Sequence, residues 1–142
     1  MMKRTVLMIL MSVVIISAQA QRRGHFDPDK FKEDMRSYIK EQVYLTPQEE
    51  SRFFPLFDEM HNKQRVLFEQ MQGYRRQKPV NDVSSAKAIQ EIDRLEIEIR
   101  QLRKVYHKKF MKVMPAKKVF AIIKAEDRFH KRAFKKMAGR RR

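Results

Sequence analysis

Residues 88–106 read Ala-Ile-Gln-Glu-Ile-Asp-Arg-Leu-Glu-Ile-Glu-Ile-Arg-Gln-Leu-Arg-Lys-Val-Tyr, and the spacing of their apolar members decides the fold class. Ala88, Ile92, Leu95, Ile99, Leu102 and Tyr106 recur by threes and fours, which places them on one stripe of a helix. Val113 rejoins the stripe beyond Lys109. About 30 residues in this pattern make a helix about 45 Å long, with a seam suited to packing against another long helix. Between the apolar positions, Glu91, Glu96 and Glu98 alternate with Arg94, Arg100, Arg103 and Lys104, read as a solvated charged face.

Working outward, Asn81, Asp82 or Ser84 can cap this helix. The segment before it carries the clearest punctuation in the chain. In Thr46-Pro47-Gln48-Glu49 a capping hydroxyl, a first-turn proline and a glutamate three residues on form a capping box, with Leu45 placed as a hydrophobic staple. Phe53, Phe54, Phe57, Met60, Leu67, Met71 and Tyr74 follow as an apolar face, ending between Gly73 and Pro79. Pro55 lies inside this helix, where a missing backbone donor predicts a kink. Further upstream, Asp27-Pro28 opens a shorter helix with Phe31, Met35, Ile39 and Val43 on one stripe.

Downstream, Met114-Pro115 interrupts the chain, and a last helix is expected from about Ala116 to Met137. Its apolar side reads Val119, Phe120, Ile122, Ile123, Phe129, Ala133, Phe134 and Met137. Its other side holds Lys117, Lys118, Lys124, Arg128, Lys131, Arg132, Lys135 and Lys136. No convincing strand is found, so the expected fold is all-α: four amphipathic helices, two of them long and forming a hairpin. Helices this long leave some apolar stripe uncovered, and a homodimer is the expected way to cover it.

The first twenty residues read differently. Met1-Met2-Lys3-Arg4 is basic, Val6–Ile16 is apolar, and Ser17-Ala18-Gln19-Ala20 offers an Ala-x-Ala exit. These eleven residues, apolar except for Ser12, rise about 16 Å in a helix, half of a bilayer core. This is a signal peptide pattern, expected to be cleaved after Ala20; a retained anchor or a buried first helix is the alternative. The expected organisation is a leader over 1–20, a helical domain over 21–138 and a basic tail over 139–142.

Losing Lys3 and Arg4 leaves 31 basic residues against 17 acidic, a net charge of +14. That charge favours acidic chains, lipid headgroups or lipopolysaccharide phosphates, and export makes nucleic acid the least expected partner. Cysteine is absent, so no disulfide or thiolate metal site can form.

No catalytic constellation emerges. Three glycines cannot build a phosphate-binding loop, and His25, His61, His107 and His130 stand at no ligand spacing, so each is read as a surface residue. An enzyme, a cofactor and a bound metal are not expected. The last helix is more informative. Phe120, Phe129, Phe134 and Met137 alternate with Lys117, Lys124, Arg128, Lys131, Arg132 and Lys135, apolar spots in a basic field that suit capture of unfolded chains or contact with an anionic membrane. These ten residues are the candidate partner-binding set, weighed evenly against a plain core role.

Leu45-Thr46-Pro47-Gln48-Glu49 resembles the first Leu-Thr-x-x-Gln motif of the Spy and CpxP family of small periplasmic helical proteins, with glutamate at the last position. Val113-Met114-Pro115-Ala116-Lys117 sits where that family repeats the motif and keeps only the proline. The resemblance implies a cradle-like antiparallel dimer in the periplasm that holds unfolded proteins without ATP, or that damps an envelope signalling protein. Metal sensing is its weakest implication, since histidine-rich ends are missing. It gives Leu45, Thr46, Pro47, Glu49 and Pro115 a structural role, fixing a helix start and an inter-helix contact.

Overall fold

A computed structural model describes residues 26–140, so the leader and Arg141-Arg142 lie outside the described residues. By their contacts the described residues fall into two units, the first ending at Phe31 and the second beginning at Lys32. Four helices, and no strand, are present among them: α1 Pro28–Gln42, α2 Pro47–Arg75, α3 Asp82–Val113 and α4 Ala116–Gly139. The fold is all-α, as the periodicity indicates. No helix among the described residues is long and apolar enough to cross a membrane.

The first three helices each begin on a side-chain cap. Asp27 accepts from the backbone N–H groups of Asp29 and Lys30 at 3.0 and 3.2 Å. Phe26 and Phe31 bring their rings to 5.5 Å within the first unit. Asn81, the first of three candidate caps, accepts from the Ser84 N–H at 2.9 Å. Met114 is extended (φ −148°, ψ 163°), the conformation favoured before proline, and this ends α3 and opens α4 at Pro115. α2 continues through Pro55, whose ring faces solvent.

α2 and α3 form the expected antiparallel hairpin. At its open end the rings of Phe53 and Phe110 meet edge-on at 4.8 Å, with Phe57 at 5.4 Å from Phe53. Towards the turn, Met71, Leu95 and Ile99 form a smaller cluster flanked by Leu67, Tyr74 and Ile92. Met35 and Ile39 of α1, Phe53, Phe57 and Met60 of α2, Tyr106 and Phe110 of α3, and Ile122 and Ala125 of α4 are all sealed from solvent. α1 is also held to α2 by the Arg36–Asp58 ion pair, with the Arg36 guanidinium 4.9 Å from the Phe54 ring centre. Large apolar side chains remain outside, among them Val66, Phe68, Ile89, Ile97 and Val105 of the hairpin.

Candidate functional site

The five motif residues act in building the fold. Leu45 is buried beside the cap. Thr46 Oγ1 accepts from the Glu49 N–H at 3.2 Å, and the Glu49 carboxylate accepts from the Thr46 N–H at 3.2 Å, with Pro47 at the first helical position. Glu49 also accepts from Lys118 Nζ at 2.7 and 3.0 Å, across 69 residues of chain. The same ammonium lies 5.5 Å from the Tyr44 ring centre. Pro115 precedes α4 without a capping side chain, and its carbonyl accepts from Lys118 and Val119 N–H. The α2 cap is thus tied by one ion pair to the first turn of α4, one residue past Lys117. Lys118 holds the Glu49 carboxyl below the usual carboxylate range, mainly through that hydrogen bond.

The ten candidate partner-binding residues of α4 are divided by the helix itself. The core-facing arc is Val119, Ile122, Ala125 and Glu126. At about 100° per residue, Phe120 and Phe134 point away from it. Phe120 is 60 % exposed, with Lys124 Nζ 4.9 Å from its ring centre, and Phe134 is 75 % exposed. Their reading as core therefore fails, because the arc that meets α3 lies on the other side. Phe129 is half-buried with its ring 5.7 Å from Tyr38, and Arg132 covers Tyr38 at 5.2 Å, so these two come together on α1. Lys117, Arg128, Lys131, Lys135 and Met137 are exposed.

A second basic region lies on the hairpin and was not singled out by spacing. A groove of about 700 Å³ has Phe68, Met71 and Ile99 among its apolar residues, with Arg75, Arg100, Arg103 and Lys104 along it and Asp127 of α4 at one side. By sequence Arg100, Arg103 and Lys104 belong to a solvated charged face with Arg94, Glu91, Glu96 and Glu98. On that face Arg94 takes both Glu91 (2.8 Å) and Glu98 (3.0 Å), and Glu96 reaches across to Arg75 at 2.9 Å. Arg100 and Lys104 take part in no ion pair among the described residues.

Beside this groove stands a buried titratable cluster. Glu126 is 1 % exposed, and neither carboxylate oxygen accepts a hydrogen bond from the described residues. One oxygen lies 3.9 Å from Nε2 of His61 on α2 and 3.9 Å from the Arg103 guanidinium on α3. Burial pushes the Glu126 carboxyl up to about 7; Arg103 opposes the shift and Asp127 adds to it. Burial likewise pushes His61 down to about 4, helped by the positive surroundings of His130 and Arg103. Burial thus disfavours the charged form of both groups.

His61 is therefore not a surface residue, and the Phe57 ring lies 4.2 Å from its own. Burial and Arg103 also lower His107 and His130. The signal available in sequence was position: Glu126 falls between Ile122 and Phe129 on the apolar side of α4, seven residues after Val119. Among the described residues no three histidine, aspartate or glutamate side chains stand together so as to hold a metal ion. No family model, no curated protein and no solved structure matches the chain.

Proposed function

We propose that the chain is an exported, ATP-independent chaperone or envelope-stress binding protein that holds unfolded or acidic partners on a basic, partly apolar helical surface. The observation that carries this reading is the groove on the hairpin. Phe68, Met71 and Ile99 offer apolar contact there, beside Arg100 and Lys104 whose charges no carboxylate of the described chain takes up. Long-range attraction comes from the positive charge and short-range capture from the apolar floor. Phe120 with Lys124 on α4 extends the same mixture of chemistry to a second face.

The resemblance at Leu45–Glu49 supports membership of the Spy and CpxP family and a cradle-like antiparallel homodimer in the periplasm. The ion pair joining Glu49 to Lys118 gives the motif residues a shared structural task in that reading. The leader pattern supports export, and no catalytic or cofactor role is proposed. Aggregation of a denatured acidic client at low salt tests the function. An equimolar amount of the protein should suppress light scattering, and added salt should weaken the effect. Unchanged scattering at low salt sinks the chaperone reading. Sedimentation equilibrium tests the dimer.

A further inference from the structure

The core of the fold lets go of α4 well before that helix ends. Its last buried residue is Glu126, yet the helix runs to Gly139, about 20 Å further. Phe129 and Arg132 still touch Tyr38. From Phe134 to Arg140 every residue is exposed.

This overhang has two sides. At about 100° per residue, Phe129, Ala133, Met137, Phe134 and Ala138 fall in one half of the helix circumference, with His130 the one polar side chain among them. Arg128, Lys131, Arg132, Lys135 and Lys136 fall in the other half. The outer members of the apolar half are uncovered, Phe134 at 75 % and Met137 at 53 % exposure. Residues 128–142 contain eight lysines and arginines and no acidic residue.

The geometry points to an interfacial helix: the end of α4 docks in the headgroup layer of an anionic bilayer. Phe134 and Met137 enter the acyl boundary while the lysines and arginines beside them reach up to lipid phosphates. A largely apolar half beside a strongly cationic half is what such a surface binds. A second copy of this chain is a poor occupant, because pairing this segment with itself brings sixteen like charges together. A folded acidic protein would match the charge but needs a pocket for Phe134. A bilayer accepts the side chain anywhere along its surface. This docking is independent of the chaperone reading, which rests on the hairpin groove.

The test uses the chain from Gln21 onward, so that the apolar leader cannot bind lipid by itself. Sedimentation with phosphatidylglycerol vesicles should bring the protein down, and phosphatidylcholine vesicles should not. The double variant F134S/M137S keeps every charge and changes only exposed side chains. It should bind anionic vesicles at least about tenfold more weakly, with its circular dichroism unchanged. The chain has no tryptophan, so F134W introduces a single reporter. Its emission should shift to the blue on anionic vesicles, whereas V83W, at a residue 83 % exposed on α3, should not shift.

Equal sedimentation with neutral vesicles, undiminished binding of the double variant, or a matching shift at position 83 overturns the proposal. So does a double variant that binds vesicles normally but captures an acidic client less well, since the face then belongs to a protein partner. Vesicle binding without suppression of aggregation would instead sink the chaperone reading and leave this one standing.

Discussion

Replacing Glu126 with glutamine should give the protein a dependence of stability on pH that the native pair conceals. The carboxyl titrates near 4.5 when unfolded and about 7 when folded, so the folded state holds the proton more tightly. Its contribution to stability is therefore full below pH 4.5 and is lost as pH rises to 7. His61 runs the other way: about 6.5 unfolded and about 4 folded, so the unfolded state takes up the proton and stability is lost as pH falls from 6.5 to 4. Each shift corresponds to about 3 kcal/mol at about 1.4 kcal/mol per pH unit. Between pH 4.5 and 6.5 the two slopes are opposite and nearly equal, and they cancel.

In E126Q only the histidine slope remains. Relative to wild type, the variant should lose about 2 to 3 kcal/mol between pH 6.5 and 4.5. In H61Q only the carboxyl slope remains, and stability should fall by about 3 kcal/mol as pH rises from 4.5 to 7. His107 and His130 also lose stability towards acid, but they are common to all three proteins and drop out of the differences. Urea unfolding followed by circular dichroism at a series of pH values measures all three curves. Parallel curves for wild type, E126Q and H61Q would refute the linkage argument.

Three further outcomes follow from other parts of the molecule. Thr46→Ala removes the side-chain half of the α2 cap and should cost about 1 kcal/mol in urea unfolding, with Thr46→Ser restoring most of it. Leu95→Ala opens a cavity in the small cluster at the hairpin turn and should cost about 3 kcal/mol. Hydrogen exchange should then speed up mainly in residues 64–99; uniform acceleration through Phe53 and Phe57 would show that the turn end has no separate stability. R100E/K104E reverses two groove cations and should abolish most low-salt protection of an acidic client, while unfolding free energy stays within about 0.5 kcal/mol of wild type. Full protection by this variant would place client binding elsewhere.

What the sequence by itself determined was everything that depends on near neighbours along the chain. The three-and-four spacing from Ala88 to Tyr106 settles the helix of α3, and Thr46-Pro47-Gln48-Glu49 settles the start of α2, because helical periodicity and capping act over a few residues. Asn81, Pro115 and the hairpin were legible for the same reason. What only the tertiary structure decided was which side of each stripe meets another helix.

Phe120 and Val119 are adjacent and both apolar, yet one is 60 % exposed and the other buried, because the line of contact with α3 selects a single arc of α4. Phe110 escaped notice in a run of lysines, and Phe53 of α2 is what makes it core. His61, Arg103 and Glu126 come from three helices, and only packing brings the first two to 3.9 Å from the Glu126 carboxylate. The groove cations follow the same rule. Periodicity places Arg100 and Lys104 on α3, but it is Arg94 and Arg75 that occupy the nearby carboxylates. Local order is written in short-range spacing, whereas burial and charge pairing are set by partners tens of residues away, and those exist only once the helices have packed.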